Sequence, residues 1–236
     1  MRKVVIMLFL FFFNILLVSC DTIGPQVKTE NDFVYIVYPE RVIIRALSDQ
    51  GREKSAIYIP LTLSNKPVIG LGQQTTGYYY YLQSSELTHL NLSHNTLGFT
   101  TLTGLPNLKT LVLSSVEPVK FTDSNGLLLY NSIDIYVPKG MREAYQRLNQ
   151  DVIDHIEFKI ANISYMYHYV DSPNSGFYRV DFKTLNELLY EPNEPTRTGY
   201  TFNGWYTDAL CTILWDFETQ LNTDEIILYA KWDKLS

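Results

Sequence analysis

The chain is poor in the residues and motifs on which catalysis and metal binding depend. Its 236 residues include two cysteines and four histidines. It has no C-x-x-C pair, so we do not expect a zinc site built on cysteine, and it has no G-x-S-x-G, H-E-x-x-H or G-x-x-x-x-G-K motif. His89 and His94 are separated by an odd number of positions, which places them on opposite faces of a strand rather than around one metal ion. We therefore predict a non-catalytic protein without metal or cofactor.

Basic residues are also scarce. Nineteen lysines and arginines stand against 25 aspartates and glutamates, a net charge of −6. Without residues 1–19 the balance is 17 to 25, because that segment contributes two basic residues and no acidic one. This charge argues against nucleic-acid binding, which requires clustered positive charge. It argues equally against attachment to an anionic membrane surface by charge alone.

The first 19 residues have the pattern of a secretory signal. Two basic residues are followed by an apolar run, 4–18, that only Asn14 interrupts. This run is short for a membrane span of about 20 residues but typical of the apolar region of a signal peptide. The run ends in Leu-Val-Ser-Cys, which resembles the lipobox of bacterial lipoproteins. The resemblance implies cleavage before Cys20 and a lipid on its thiol, and an ordinary signal peptide is the alternative.

The segment after the signal is predicted to be a tether. Residues 20–32 are mostly polar, contain a glycine and a proline, and show no periodicity. If Cys20 carries a lipid, no disulfide can form within the chain. Cys211 is then predicted to be an unpaired thiol that packs as a small buried side chain.

One leucine spacing is used twice near the middle of the chain. Three leucines recur further along in the same order and at the same intervals: Leu87, Leu90 and Leu92, then Leu108, Leu111 and Leu113. Residues 87–97 follow the pattern L-x-x-L-x-L-x-x-N-x-L of leucine-rich repeats, in which each repeat adds one short strand to a curved solenoid. Such a solenoid presents a continuous surface, which favours a binding function.

Two flanking segments resemble one subclass of these repeats. Residues 57–71 contain I-x-I-P and K-P-V, and residues 133–140 read I-D-I-Y-V-P-K-G. Both motifs resemble the BspA-type leucine-rich repeat of bacterial surface proteins. The resemblance predicts a short leucine-rich-repeat solenoid over residues 33–160.

The ends of this solenoid and one interruption can also be predicted. A β-hairpin is expected around Pro39, between residues 33–38 and 42–45, and a helix over 141–148, where helix-forming residues are frequent. Residues 73–86 break the leucine spacing and are either an insertion or a degenerate repeat.

The predicted solenoid has a candidate binding surface. Where leucines face inward on a strand, the intervening side chains face outward. Stacked from repeat to repeat, they form a narrow, nearly neutral row that we predict to bind a protein strand or a sugar. A run of four tyrosines is a second candidate, because exposed tyrosine is common in binding surfaces. The predicted row consists of Tyr58, Asn91, Val112 and Asp134, with Ser93, Ser114 and Tyr136 beside it. The tyrosine run consists of Tyr78, Tyr79, Tyr80 and Tyr81.

The last part of the chain, residues 163–236, reads as a second domain. Residues 195–206 are P-T-R-T-G-Y-T-F-N-G-W-Y, followed by W-D-F at 215–217 and L-Y-A-K-W at 228–232. These motifs closely resemble the Listeria–Bacteroides repeat, also called the internalin B-repeat. The resemblance implies a small β-grasp-like module, a mixed sheet with one helix. Its aromatic residues are expected to form the core, and a sugar-binding platform is the alternative.

We expect a mostly β protein with few helices, a short leucine-rich-repeat solenoid followed by a small β-grasp-like module. The predicted function is adhesion or protein recognition at the bacterial cell surface, through the solenoid row. The expected partners are a protein or glycan and, through the lipid on Cys20, the membrane of the cell envelope. A sugar-binding accessory lipoprotein and a structural envelope spacer are the alternatives.

Overall fold

The computed structural model describes residues 25–75, 78–96, 102–121, 133–151 and 156–235, with the backbone alone at residues 73–75 and 78–80. Strands predominate in these ranges and helices are few, which confirms the predicted mostly-β class. The predicted signal segment and Cys20 lie outside the described residues. In chain order the elements are β1 (Gln26–Glu30), β2 (Phe33–Val37), β3 (Val42–Leu47), α1 (Asp49–Arg52), β4 (Ala56–Tyr58), β5 (Thr62–Leu63), β6 (Lys66–Leu71), β7 (Gln73–Thr75), β8 (Tyr78–Tyr80), β9 (His89–Leu92), β10 (Thr110–Leu113), β11 (Asp134–Val137), α2 (Arg142–Leu148), β12 (Glu157–Ile160), β13 (Ile163–Met166), β14 (Phe177–Asp181), β15 (Tyr200–Tyr206) and β16 (Ile226–Lys234).

A five-stranded sheet opens the described chain, in the order β1-β2-β3-β6-β5. Strands β2 and β3 pair antiparallel, so the predicted hairpin around Pro39 is confirmed. Tyr35 and Ile44 face each other across this pair and are fully buried. The inner face of the hairpin therefore packs on the core of the following part of the chain.

The predicted tether is not continuous. Residues 26–30 form β1, which pairs antiparallel with β2 along its whole length. All five side chains of β1 are exposed, so the segment lacks the apolar alternation by which a strand is recognised in a sequence. Backbone pairing with the edge of β2 forms this strand. A tether can therefore include only the part of residues 20–32 that precedes β1.

The middle of the chain forms a curled sheet of five parallel strands, β12-β11-β10-β9-β4. Each strand places one large apolar residue at the same level: Ile57, Leu90, Leu111, Ile135 and Phe158. All five are buried and belong to one core cluster. The leucine spacing thus indicates strands correctly, since Leu90 and Leu111 are directly paired.

The interruption of the leucine spacing is an insertion. Ile57 in β4 pairs directly with Leu90 in β9, although the chain between them is longer than the chain between Leu90 and Leu111. The intervening chain forms β5 and β6, which belong to the first sheet, and the antiparallel hairpin β7–β8. At its other end the curled sheet is completed by two elements. One is α2, which corresponds to the helix predicted over 141–148, and the other is β12, which was not predicted.

The C-terminal part forms a four-stranded mixed sheet in the order β14-β13-β16-β15. Only β13 and β16 are parallel within it. Its core is aromatic, as predicted: Tyr165 and Tyr178 pack against Trp205 with ring centroids 5.2 and 5.6 Å apart. Gly204 adopts a φ of +92° where the register of β15 on β16 shifts, a conformation that disfavours other residues.

The single helix expected of a β-grasp module is missing from residues 156–235, which contain one turn of 3-10 helix at Asn174–Gly176. The connection from β14 to β15 is irregular instead. Pro192 and Pro195 fall within it and are incompatible with a helix interior. Leu188 forms an isolated bridge to Gln220, which fixes this connection against the loop before β16.

Candidate recognition surface

The predicted row exists, with one change of register. Tyr58, Asn91, Val112 and Tyr136 are neighbours on four successive strands of the curled sheet. Asp134 pairs instead with Thr110 and lies outside this row, so its placement in the row was wrong. The sequence suggested that Asp134 aligns with Val112, but β11 is shifted by two positions and aligns Tyr136 with Val112. We name Tyr58, Asn91, Val112 and Tyr136, with Ser114 beside them, the concave row.

The C-terminal sheet covers the concave row. Strand β14, at the edge of that sheet, lies across it, and Asn91, Val112 and Ser114 are fully buried. An edge strand carries unpaired backbone groups that require partners. Here the row supplies them, since Asn91 Nδ2 donates to the Val180 carbonyl at 2.8 Å and Val180 N donates to Ser114 Oγ at 3.1 Å.

Two charged residues flank Val180 and fasten the strand at each side. Arg179 is 3 % exposed; its Nη1 donates to Asn91 Oδ1 at 2.7 Å and its Nη2 to the Ile59 carbonyl at 2.7 Å. Burial of a charged side chain is costly unless hydrogen bonds replace its water. The replacement is incomplete here, because Arg179 Nε has no acceptor among the described residues.

Asp181 is the second charged residue and is also buried. Its carboxylate accepts from Tyr58 Oη at 3.1 Å and from Asn91 Nδ2 at 3.1 Å. His89 Nε2 lies 2.9 Å from Asp181 Oδ1, off the direction of a hydrogen bond, and pairs with it electrostatically when the ring is protonated. Burial, with the Asp181 carboxylate beside it, raises the pKa of Tyr58 far above its usual range, so the phenol remains a proton donor.

Apolar contacts complete the covered surface. Tyr136 stacks on Phe182 with ring centroids 4.0 Å apart. Val112 and Val180 share a small cluster with Tyr136 and with Ala161, which lies in the short link between the two sheets. The concave row is therefore an internal interface in this structure and not a free surface.

The remaining predicted residues lie elsewhere. Ser93 is buried and bonds Thr96 Oγ1 at 2.9 Å. Tyr81 is half-buried beside Gly104, in a cleft with Ser84. The side chains of Tyr78, Tyr79 and Tyr80 are outside the described part of the chain.

A groove on the C-terminal sheet was not predicted. It has a volume of about 610 Å³ and is lined by apolar and aromatic side chains, among them Met166, Tyr169, Val170 and Tyr229. His168 also lines it and meets Tyr229 edge to face at 5.0 Å. The sequence signal was weak because the groove combines the end of β13 and the segment after it with the middle of β16, two strands that are distant in the chain but adjacent in the sheet.

Exposed apolar side chains surround this groove. Val170 in its wall is 87 % exposed and Leu210 is 86 % exposed. Leu210 precedes Cys211, whose Sγ lies 3.5 Å from His168 Nδ1. Exposed apolar clusters of this kind often mark binding sites.

Cys211 is free but only partly buried, contrary to the prediction of a buried side chain. It lies in a tight turn with a φ of +52°, held by hydrogen bonds from the amides of Leu210, Thr212 and Ile213 to the Asp208 carboxylate. Partial burial, together with Asp208, raises the pKa of the thiol. This shift favours the neutral thiol over the thiolate.

The described ranges lack two further features. No group of three or more histidine, cysteine, aspartate or glutamate side chains is arranged there to hold a metal ion. None of the helices within those ranges is long and apolar enough to cross a membrane.

Comparison with known proteins bears on the C-terminal part. Residues 173–231 match the Listeria–Bacteroides repeat domain family, which confirms the predicted resemblance there. The chain is 50 % identical over 46 residues to one protein of Evansella cellulosilytica and 51 % identical over 45 residues to another, both named as membrane proteins. It is 46 % identical over 48 residues to internalin H of Listeria monocytogenes.

These similarities are local. They cover 20 %, 19 % and 20 % of this chain and 7 %, 5 % and 9 % of the respective relatives. The chain thus spans less than a tenth of each relative's length. No solved structure matches the chain.

Proposed function

We propose that this protein is a non-catalytic recognition protein of the bacterial cell envelope, held to the membrane by a lipid on Cys20 and binding a protein partner outside it. The internalin-type repeat supports recognition at a surface, and the relatives named as membrane proteins support an envelope location. The fold supplies a rigid support for such a role, since two extensive cores carry three sheets.

The curled sheet fits a short leucine-rich repeat of the BspA type. Its strands are parallel, each contributes one buried apolar residue at the same level, and β9 and β10 keep the regular leucine spacing. The next two steps along the chain are slightly longer, as Leu111 pairs with Ile135 and Ile135 with Phe158. Stacking of such units buries a continuous core that no single unit could bury.

The observation that carries the proposal is the groove on the C-terminal sheet. Because β14 fills the concave row, the groove around Val170 and Tyr229 is, within the described residues, an apolar surface that remains open to a partner. Apolar and aromatic side chains with a few polar groups at the rim are typical of the central part of protein interfaces. The groove therefore replaces the row as the first candidate for partner binding.

The test is binding of proteins released from envelopes or from host-cell surfaces to the immobilised chain. We expect saturable binding that Val170→Ser reduces about fivefold or more, since the lost apolar contact is worth about 1–2 kcal/mol. Val27→Ser is the matched control, because Val27 is also an exposed valine but lines no part of the groove.

Other results would favour the alternatives. Binding that survives protease treatment of the extract and is lost after removal of its glycans indicates a sugar-binding accessory protein. No saturable binding of either kind indicates a spacer and contradicts the proposal.

The lipid anchor has a separate test. Cys20→Ala removes the thiol that would carry the lipid, so we expect the protein to leave the membrane fraction when cells are lysed and centrifuged. Cys211→Ala is the control and should remain with the membranes. Retention of the Cys20→Ala protein would contradict the anchor.

A further inference from the structure

The concave row recognises the backbone of a strand edge. Asn91 and Ser114 meet the carbonyl and the amide of the same residue, Val180. Main-chain contacts of this kind give affinity for an extended strand whatever its side chain at that position. Asn91 also holds Arg179 and Asp181, so one side chain contacts three consecutive residues of β14.

Selectivity comes from the residues on either side. Arg179 occupies a position where Asn91 Oδ1 and the Ile59 carbonyl accept its hydrogen bonds. Asp181 occupies a position where Tyr58 Oη donates a hydrogen bond to its carboxylate and His89 Nε2 lies 2.9 Å from its Oδ1. The row therefore offers acceptors to a cation and donors to an anion, in the order that matches Arg-x-Asp and not Asp-x-Arg.

The contact has features of an interface that can open. Its polar part buries two charged side chains, and Arg179 Nε is left without an acceptor in the described chain. Such groups reduce the net stability that docking provides. Its apolar contacts are the cluster of Val112, Tyr136, Ala161 and Val180, the stack of Tyr58 on Tyr190, and the packing of Leu61 against the C-terminal core. Each part otherwise has its own core, which remains when the contact opens.

We propose that the concave row is a docking surface for strand edges that present Arg-x-Asp, that β14 of the same chain keeps it closed, and that an edge strand of that pattern in a partner competes with β14 for it. A partner can then bind the concave row only when the C-terminal sheet moves away from it. This proposal concerns a different surface from the groove, so the loss of one leaves the other standing.

Hydrogen exchange of the full chain in detergent tests the opening. The Val180 amide bonds Ser114 Oγ at the interface, whereas the Leu111 and Leu228 amides lie within the two sheets. We expect the Val180 amide to exchange at least tenfold faster than those of Leu111 and Leu228, because local opening precedes global unfolding. Equal rates at the three amides would overturn the opening.

A peptide tests the selectivity. The probe is Gly-Phe-Tyr-Arg-Val-Asp-Phe-Lys, the sequence of residues 176–183, and the control exchanges its arginine and aspartate. The receptor is the full chain with Arg179→Ala and Asp181→Ala, in which the internal strand docks weakly while the row is intact. We expect this receptor to bind the probe at least tenfold more tightly than the wild-type chain does, and at least tenfold more tightly than it binds the control peptide.

A reversible disulfide provides a second test that does not depend on the folding of the Arg179→Ala, Asp181→Ala variant. Tyr136→Cys with Phe182→Cys replaces a pair of stacked rings, in a background with Cys20→Ser and Cys211→Ser. We expect the reduced protein to bind the probe and the oxidised protein to lose it. Equal binding by the two forms, or by the two peptides, would overturn the docking surface.

Discussion

Arg179 joins two parts of the chain that are far apart in sequence. Its two hydrogen bonds reach Asn91 and the Ile59 carbonyl, 88 and 120 residues away. Removing the guanidinium leaves two buried acceptors without a donor, so Arg179→Met should lower the free energy of unfolding by about 2 kcal/mol. Urea denaturation measures this. Arg52→Met, which removes an exposed pair with Asp49, is the control and should change it by less than about 0.5 kcal/mol.

A half-buried histidine, His94, should make stability depend on pH. Burial, and then the charge of Arg179, lowers the pKa of His94 from 6.5 to about 4. The unfolded chain therefore binds a proton between pH 6.5 and 4 that the folded chain does not, and stability falls as pH falls through this window. The free energy of unfolding at pH 4 is lower than at pH 7 by at most about 3 kcal/mol from this group.

Denaturation of the wild-type chain and of His94→Gln at several pH values tests this. The glutamine can still meet Tyr167 Oη, which lies 3.1 Å from His94 Nε2, but does not titrate. The difference in stability between the two proteins should shrink or reverse as pH falls from 7 to 4. A constant difference would contradict a depressed His94 pKa.

At the residue scale, the sequence predicted which side chains share a face of the curled sheet better than it predicted which residues contact that face. Tyr58, Asn91, Val112, Ser114 and Tyr136 were selected because they alternate with buried leucines, and the structure places them together. Alternation shows which face a side chain occupies but not what covers that face. The covering strand could not be predicted, because a hydrogen bond between residues 88 apart leaves no local pattern.

Among the elements, α2 is held in part by the asparagine that follows it. Asn149, directly after the helix, is fully buried and bonds the Phe121 amide at 2.7 Å and the Val119 carbonyl at 3.0 Å. It thus satisfies backbone groups of the loop that α2 covers. Asn149→Ala should destabilise the protein by about 2–3 kcal/mol, because both backbone groups lose their hydrogen bond to the Asn149 side chain.

Thermal or urea denaturation checks this prediction. Asn107→Ala is the matched control, because Asn107 makes one exposed hydrogen bond to the Ser85 carbonyl. The control should change stability by less than about 0.5 kcal/mol. A similar effect of both substitutions would show that α2 is not held through Asn149.

Elements were predictable where side chains alternate and less so where backbone pairing alone forms them. The hairpin β2–β3, the paired strands β9 and β10, and α2 all carry an apolar or helix-forming pattern. Strand β1 carries none, since all its side chains are exposed. The register of β11 was missed because the length of the preceding connection, and not the strand's own residues, sets it.

In the whole molecule, the contact at the concave row should couple the stability of the two parts. All three tryptophans lie in the C-terminal part, at 205, 215 and 232, so their fluorescence reports its unfolding alone. Far-ultraviolet circular dichroism reports the strands of both parts. We expect the two urea transitions to coincide in the wild-type chain and to separate in the double variant Arg179→Ala, Asp181→Ala, which retains both cores.

Urea titrations followed by the two signals provide the measurement. The double variant Asp216→Ala, Asp233→Ala is a control, since both carboxylates lie in the C-terminal part and none of their bonds reaches the concave row. Its two transitions should still coincide. Separate transitions in the wild-type chain would show that docking does not couple the two parts.

For the molecule as a whole, the motifs at 195–206, 215–217 and 228–232 indicated the family of the C-terminal part, and the match over residues 173–231 confirms it. They could not indicate that its edge strand docks inside the same chain. That contact uses Arg179 and Asp181, which lie outside those motifs. Family patterns preserve a module's own core, whereas the way two modules fit together is set by a few residues on each.

The fit between β14 and the concave row has a consequence for the evolution of the gene. If ancestral genes gained or exchanged this repeat by recombination, an incoming copy without arginine at 179 or aspartate at 181 would have met a row shaped for both. We therefore expect the two segments to be inherited as a matched pair. In related genes, Asn91 and Arg179 should change together or not at all, even though the rest of the repeat evolves under its own constraints.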